Sequence, residues 1–369
     1  MKKTLIALAA VAATGAAFAQ STVTLFGGAD LNYRSVTTGA NKFQGMAQDG
    51  IYSSRLGFMG TEDLGGGLSA NFHFEAGHTP DTGATAIAFG RKSTIGLAGG
   101  FGEVRLGRDY TPLFTIAGIA DPFGTNGVGS SYNLANSVTV APEANAAAIA
   151  AETALAGGNY AGTAASGVYA DANAVRANNS IAYYTPSFSG FSAGLMYSLG
   201  AENTTTTNRS AGKMTSLKLA YANGPVSAAF GTQSTKGTTD TAKWATNFLA
   251  GSYDLGMAKL SAGYKTDKIT DTAGVSSDTI KSTILGVAAP FGATTVKASY
   301  VARKVGSTKI GNQFAMGAVY DLSKRTSVYA TYAVLKNEAG FGNSVGSAAA
   351  TDFTGVKSKG FEAGVKHSF

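Results

Sequence analysis

The sequence predicts an all-β fold, a 16-stranded antiparallel transmembrane β-barrel with a long third loop folded into the pore. Three observations lead to this prediction. The chain starts with an export signal, and after that signal no stretch approaches 18 consecutive apolar residues. Segments of about ten residues alternate apolar and polar side chains along most of the chain. Only helices and closed barrels satisfy every backbone polar group in lipid, so an exported chain with two-residue periodicity is expected to cross a membrane as a barrel.

Residues 1–19 have the features of a cleaved signal peptide. Lys2 and Lys3 precede an apolar stretch that starts at Leu5, and the small-residue pattern at 17–19 suits a cleavage site. A membrane anchor is the alternative, but the apolar stretch is shorter than the ~20 residues that a spanning helix needs. We therefore expect the mature chain to begin at Gln20 and residues 20–369 to form the barrel.

Charge and composition exclude several classes of function. The chain has 29 basic side chains, or 27 without Lys2 and Lys3, against 22 acidic ones. No run of about five like charges occurs, so we expect no nucleic-acid binding. The absence of cysteine excludes disulfides, a cysteine nucleophile and a cysteine-ligated metal. The three histidines are far apart in sequence and no cofactor motif is present, so neither a metal nor a cofactor is expected.

Sixteen alternating segments can be counted, an even number as in single-chain bacterial barrels. The first runs from Thr22 to Tyr33, with Val23, Leu25 and Leu31 on one face. Short connections rich in Gly, Pro, Asn and Asp join the segments at one side. They lie at 61–66, 99–100, 186–190, 222–224, 254–256, 290–292 and 321–325.

Longer polar connections are expected at the other side of the barrel, at 35–50, 201–212, 265–278 and 336–358. Short turns at one rim and long loops at the other are typical of outer-membrane barrels. A soluble β-sandwich is the alternative, but these strands are longer than usual and tyrosines recur near their ends, which suits the two membrane interfaces. The tyrosines are Tyr197, Tyr221, Tyr253, Tyr264, Tyr300, Tyr320 and Tyr332.

One connection, residues 110–175, contains no convincing alternating strand. A connection of that length inside a compact fold is usually functional. Its first part, TPLFTIAGIADPFGTNG, is apolar enough to fold inward and pack against the wall. Its second part, APEANAAAIAAETALAGG, is consistent with either a helical turn or a loose loop. We expect this connection to be functional and its first part to fold into the barrel.

The closing strand alternates two kinds of side chain and ends on an aromatic residue. Phe361, Val365 and Phe369 lie on one face, whereas Glu362 and Lys366 lie on the other. A period of two turns the first set towards lipid and the second towards water.

Basic residues are the candidates for lining the channel, because sixteen strands enclose a water-filled lumen. Counting places Arg55, Arg105 and Arg176 inward, since an arginine facing lipid near the midplane would cost about 2–4 kcal/mol. Counting alternate strand positions turns Lys92 rather than its neighbour Arg91 towards the lumen, and one of the two must face it. A solvated wall without a special role is the alternative for each residue, but a basic cluster at a constriction selects anions.

Four sequence motifs carry a resemblance to a known family. They are SRLGFMGTEDLG at 54–65, GGFGEVRLGR at 99–108, RANNSIAYY at 176–184 and the closing GVKHSF at 364–369. Together they resemble the general trimeric porins of Gram-negative bacteria, in their β-proteobacterial branch, over essentially the whole mature chain. The resemblance implies a homotrimer in which the third loop, residues 110–175, folds into each pore and constricts it as an eyelet. It also matches Arg55, Arg91 and Arg176 to the basic eyelet cluster, and so favours Arg91 over Lys92.

The chain departs from the family pattern in that loop. The family often has Pro-Glu-Phe-Gly, whereas this chain has Asp121-Pro122-Phe123-Gly124. With the glutamate absent, Asp121 is the candidate for the acidic side of the eyelet. The resemblance further implies that Phe369 is needed for insertion by the barrel-assembly machinery, and that the barrel is surrounded by outer-membrane lipid and lipopolysaccharide.

The leading hypothesis is a channel in the cell outer membrane for passive diffusion of small hydrophilic solutes and ions. Its anion preference would come from Arg55, Arg91, Lys92, Arg105 and Arg176. A substrate-specific channel for an organic acid or sugar is the alternative, suggested by the enlarged third loop. An enzyme built on a barrel is not expected, because no histidine has a serine and an acid in a suitable context. An adhesin or a purely structural barrel would not conduct ions.

Overall fold

The computed structural model describes residues 22–84, 87–139, 168–170, 173–200, 210–237, 241–270, 274–346 and 355–369. The predicted signal peptide and the Ala-rich stretch 141–158 lie outside the described residues. The strands are β1 Thr22–Thr38, β2 Asn41–Gln48, β3 Arg55–Gly65, β4 Leu68–Gly77, β5 Lys92–Gly99, β6 Gly102–Tyr110, β7 Ser137–Thr139, β8 Val168–Ala170, β9 Arg176–Tyr184, β10 Phe191–Ser198, β11 Met214–Asn223, β12 Val226–Lys236, β13 Lys243–Asp254, β14 Lys259–Thr270, β15 Ile280–Phe291, β16 Thr294–Val305, β17 Thr308–Asp321, β18 Thr326–Asn337 and β19 Lys357–Ser368. A 3₁₀ turn, Phe114–Ile116, and two short helices, Ala117–Ala120 and Tyr132–Ala135, complete the regular structure of these residues. In the described parts of the chain, no helix is long and apolar enough to cross a membrane.

The wall strands form one closed antiparallel sheet. Each pairs with its neighbour in sequence, and β19 pairs with β1 from Gly28 opposite Ser368 to Thr38 opposite Ser358. Both β2 and β3 pair with β1, so together they occupy one position in the wall. With β7 and β8 set apart in a two-stranded sheet, the described strands fill sixteen wall positions. The predicted 16-stranded antiparallel barrel is confirmed.

The two faces of the wall differ in polarity, as the alternation predicts. On β14, Leu260 and Tyr264 are exposed on the outer face, whereas Lys265 and Asp267 are buried on the inner one. Beyond Tyr264 the outer face of β14 becomes polar, which places this ring where the apolar belt ends. Six of the predicted interface tyrosines are 40–49 % exposed: Tyr197, Tyr253, Tyr264, Tyr300, Tyr320 and Tyr332.

The long loop predicted at 35–50 is wrong. β1 continues to Thr38 and β2 begins at Asn41, so the connection is the two-residue turn Gly39-Ala40, in which Gly39 has φ 58°. The outer face of these strand ends is polar, with Ser35 and Thr37 on β1 opposite Gln44 and Lys42 on β2. A polar strand end lacks the apolar alternation on which the prediction relied, and so it resembles a loop in sequence.

Candidate functional site

Residues 111–136, here called the inner segment, pack against the polar face of the wall. Their apolar side chains sit over glycines of five wall strands between β12 and β19, where an added Cβ would lie within 3.1 Å of the segment. Glycine weakens a strand and often marks a close approach by another part of the chain. Ile116 lies over Gly231, Ala120 over Gly263, Pro122 over Gly286, Phe123 over Gly317 and Val128 over Gly360. This row of glycines was not predicted, although the inward position of each glycine in the alternation of its strand could have indicated it.

Polar side chains of the wall hold the second half of the inner segment. Lys265 Nζ donates to the carbonyl of Ala135 at 3.1 Å, and Arg303 Nη1 donates to that of Leu134. Both carbonyls belong to the helix Tyr132–Ala135, and cations are favourable near the C-terminus of a helix. Gln313 Nε2 donates to the carbonyls of Gly129 and Ser130 at 3.2 and 2.9 Å. The segment is therefore fixed from β14 to β17.

A buried carboxylate supports these anchors. Asp267 has no exposed surface, and its oxygens lie 3.2 Å from Lys265 Nζ and 3.5 Å from Arg303 Nη2. They also accept hydrogen bonds from Trp244 Nε1 at 3.1 Å and Thr246 Oγ1 at 2.7 Å. One carboxylate thus compensates the two cations that reach the helix.

Asp121 holds the inner segment together. It is 4 % exposed, and its carboxylate accepts the backbone N–H groups of Phe123 at 2.9 Å and Ser131 at 2.6 Å. Burial raises the pKa of Asp121 to about 6, although these hydrogen bonds oppose the rise. With Pro122 and Phe123 against the wall and Gly124 at φ 69°, the motif forms a turn. This geometry argues against Asp121 as the acidic side of an eyelet.

Three arginines meet at one point of the inner face, and we call them the arginine cluster: Arg55, Arg91 and Arg176. The hydroxyl of Tyr110 accepts hydrogen bonds from Arg91 Nη2 and Arg176 Nη2, both at 2.7 Å. Glu75 Oε1 accepts from Arg91 Nε at 2.6 Å and from Arg55 Nη1 at 3.3 Å. The cluster thus holds three positive charges against the single carboxylate of Glu75, which Arg55 and Arg91 contact, and two positive charges are in excess.

Lys92 and Arg105 form a separate, balanced group. Lys92 Nζ lies 3.3 Å from Asp109, and Arg105 contacts Asp109 at 2.5 Å and Glu103 at 2.7 Å. Two cations therefore face two carboxylates. Both members of the disputed pair Arg91 and Lys92 contact inward-facing carboxylates, because Arg91 precedes β5 and is not bound by the alternation of that strand.

The acidic partner and the tyrosine of the arginine cluster were not among the predicted residues. Glu75 lies on β4 with Phe74 on the opposite face, so the alternation could have identified it as inward. Counting alone does not settle Arg176, because the pairing of β6 with β9 shifts between Gly107 and Asp109. Its contact with Tyr110 places it in the cluster.

The five predicted basic residues lie on or beside strands β3 to β9. The contacts of the inner segment with wall side chains run mostly from Ser216 on β11, through β13 to β17, to Glu362 on β19, with a further contact at Ser53 before β3. Phe114 connects the two regions, since its ring stacks on Tyr110 at 5.3 Å. Most of the described segment therefore lies on strands away from the arginine cluster, and it approaches the cluster at Phe114 and at Asn126, which binds Ser53.

The last residue closes the wall. Phe369 and Gly27 exchange two backbone hydrogen bonds, at 3.1 and 3.2 Å, next to the start of the β1 and β19 pairing. The aromatic ring is about half exposed on the barrel surface.

Comparison with known proteins agrees with this geometry. A model of the Gram-negative porin family matches residues 4–340. The chain is 38 % identical to outer membrane porin protein 32 of Delftia acidovorans, with both chains covered completely. It is 30 % identical to an outer membrane porin protein of Bordetella pertussis, over 92 % of this chain and 95 % of that one.

Solved structures share the fold. An anion-selective porin from Comamonas acidovorans superposes with a TM-score of 0.76 at 33 % identity, over 95 % of this chain and all of that chain. Salmonella typhi OmpF superposes with a TM-score of 0.64 over 94 % of this chain and 97 % of that one, but at 16 % identity it supports the fold alone. The predicted resemblance to porins is confirmed. The relatives of this chain are channel proteins of the outer membrane rather than enzymes. This chain belongs to the Gram-negative porin family.

Proposed function

We propose that this outer-membrane porin conducts small hydrophilic solutes and ions by passive diffusion, with a preference for anions. The conducting path runs between the arginine cluster on one side and the inner segment on the other. The third loop, residues 110–175, narrows this path. The similar Comamonas porin is described as anion-selective, which supports the same direction of selectivity here.

The excess positive charge of the arginine cluster is the observation that carries the proposal. Arg55 and Arg91 share Glu75, and Arg176 is hydrogen-bonded to a neutral phenol. Lys92 and Arg105 add little net charge, because two carboxylates balance them. Unbalanced cations at a constriction lower the energy of anions there and raise that of cations.

Reconstitution of the protein in a planar lipid bilayer tests this function. Under a KCl gradient, we expect the reversal potential to have the sign of chloride preference and the preference to weaken as salt rises, because salt screens charges. Preference for potassium would contradict the proposed selectivity. A reconstituted barrel that carries no current would contradict the channel itself and favour a structural or adhesive role.

A substrate-specific channel is the second candidate, and one cavity favours it. A space of about 700 Å³ lies between the inner segment and β1–β2, a volume typical of small-molecule sites. Groups that form hydrogen bonds line much of it, including Gln48, Thr79, Asp81, Asn126, Tyr132 and Asn133. Liposome swelling distinguishes the candidates, because a general porin admits solutes by size, whereas a sugar-specific one admits hydroxylated solutes faster than others of equal size.

The homotrimer, the cleaved signal peptide of residues 1–19 and the contacts with lipopolysaccharide and the barrel-assembly machinery are further parts of the proposal. We expect the unboiled protein to migrate on a denaturing gel as three chains and the boiled protein as one. Mass spectrometry of the boiled chain is expected to give a mature protein that begins at Gln20. A monomeric band without boiling would contradict the trimer.

A further inference from the structure

The strand formed by β2 and β3 is interrupted in the middle of the wall. Its pairing with β1 ends at Leu31 opposite Gln48 and resumes at Gly28 opposite Arg55. Two residues of β1 therefore face the six residues 49–54, which we call the wall bulge. An ordinary β-bulge adds a single residue, so this insertion requires its own support.

Asp30 supplies that support from β1. It has no exposed surface, and its Oδ2 accepts the backbone N–H groups of Ile51 and Tyr52, both at 2.8 Å. The hydroxyl of Tyr329 on β18 donates to Oδ1, and the backbone N–H of Asp30 donates to Ser54 Oγ at 3.0 Å. A carboxylate is an acceptor with several lone pairs, so this one can hold two backbone groups and a phenol together.

The wall bulge contacts residues 126–128, which we call the tip of the inner segment. Ser53 Oγ donates to Asn126 Oδ1 at 2.8 Å. The carbonyl of Gly50 lies so close to Gly127 that a Cβ at residue 127 would overlap it. A Cβ at Gly50 would in turn overlap the Tyr329 hydroxyl, so the close packing continues through the bulge to β18.

The opposite side of the tip is held by β19. Glu362 is 1 % exposed, and its Oε1 accepts the backbone N–H of Val128 at 3.1 Å. Its Oε2 accepts from Arg34 Nε on β1 at 2.9 Å. Residues 126–128 are thus clamped between the wall bulge and a buried ion pair.

The same bulge also orients a member of the arginine cluster. Arg55 follows it directly, donates from Nε to the carbonyl of Ser53 at 2.8 Å, and lies 4.5 Å above the ring of Tyr52. We propose that the wall bulge, supported by Asp30 and Tyr329, is a latch that positions both Arg55 and the tip of the inner segment, and thereby fixes the aperture between them. This role rests on the proposed function, in which that aperture is the narrow part of the conducting path.

Two conservative substitutions test the latch in the full-length reconstituted protein. Tyr329→Phe removes one hydroxyl and keeps the ring, and Asp30→Asn removes the charge and keeps the shape of the side chain. Each substitution weakens the hydrogen bonding of a buried carboxylate, so the tip should dissociate from the wall bulge more often. In single-channel recordings at fixed voltage, we expect the fraction of time that the channel is closed to rise roughly 10- to 100-fold. Ser327→Ala is the matched control on β18, since its hydroxyl bonds Asp321 at the turn rim and not the latch.

Both variants are expected to keep the chloride preference of the open channel, because the arginine cluster retains its charges. A closed fraction of Tyr329→Phe equal to that of Ser327→Ala would overturn the latch. An unaltered protein without chloride preference would overturn the proposed function instead, so the two failures are distinguishable.

A crosslink tests the same contact without weakening it. The chain has no cysteine, so Ser53→Cys with Asn126→Cys creates one defined pair. We expect a mild oxidant to form a disulfide between the two cysteines, as seen by mass spectrometry. The disulfide should lower the closed fraction below that of the unaltered protein, and a thiol reductant should reverse this effect. Failure of the pair to join would contradict the contact, and a joined channel that closes as often as the reduced one would contradict its positioning role.

Discussion

Replacing Arg55, Arg91 and Arg176 together by glutamine is expected to abolish the anion preference. The cluster carries three positive charges and one negative charge, and unit charges 4 Å apart interact by about 1 kcal/mol in bulk water. An excess of two charges thus favours an anion by about 2 kcal/mol, or roughly 30-fold. In the triple variant Glu75 remains, so the reversal potential under a KCl gradient should change to a slight potassium preference.

Two controls separate the charge of the cluster from its shape. Glu103→Gln with Arg105→Gln removes one charge of each sign from the balanced group, so the reversal potential should stay unchanged. Glu75→Gln removes the counter-charge of the cluster, and the chloride preference should rise by roughly fivefold, as expected for about 1 kcal/mol. A triple variant that keeps its full chloride preference would show that selectivity arises elsewhere in the channel.

The fold was largely predictable because the membrane imposes a strict pattern. Wherever lipid covers one face of a strand, the side chains alternate, as they do on β14 and in the closing strand. The prediction failed at 35–50 and did not reveal the wall bulge. The outer face at the end of the β1–β2 hairpin is polar, so these strand ends show no outward apolar alternation. The bulge depends on Asp30, which binds its backbone and the hydroxyl of Tyr329 on β18.

The inner face was less predictable, because its arrangement depends on contacts between distant strands. Alternation could assign a residue to a face, but not pair Arg91 with Glu75 or Arg176 with Tyr110. It also gave no means of distinguishing an excess charge from a compensated one. Asp121 was the acidic candidate by its place in a motif, yet its carboxylate is used by the backbone of its own turn.

Asp267→Ala is expected to release the inner segment from the wall while the barrel remains folded. The carboxylate compensates Lys265 and Arg303, which hold the carbonyls of Ala135 and Leu134. Breaking a buried ion pair by removing one partner typically costs about 3–5 kcal/mol, and Trp244 and Thr246 also lose their acceptor. Limited proteolysis followed by mass spectrometry should show cleavage within 111–136, which the unaltered protein resists.

The backbone ladder of β14 does not depend on this side chain, so the heat-dependent gel migration of the barrel should persist. If the inner segment narrows the conducting path, its release should also raise the single-channel conductance. Asp278→Ala, at an exposed position near the start of β15, is the matched control and should change neither quantity. Cleavage without a rise in conductance would mean that the segment is anchored as described but lies outside the narrow part of the path. Resistance to cleavage would mean instead that the wall glycines hold the segment without the ionic anchors, because its apolar side chains stay packed against Gly231 and Gly263.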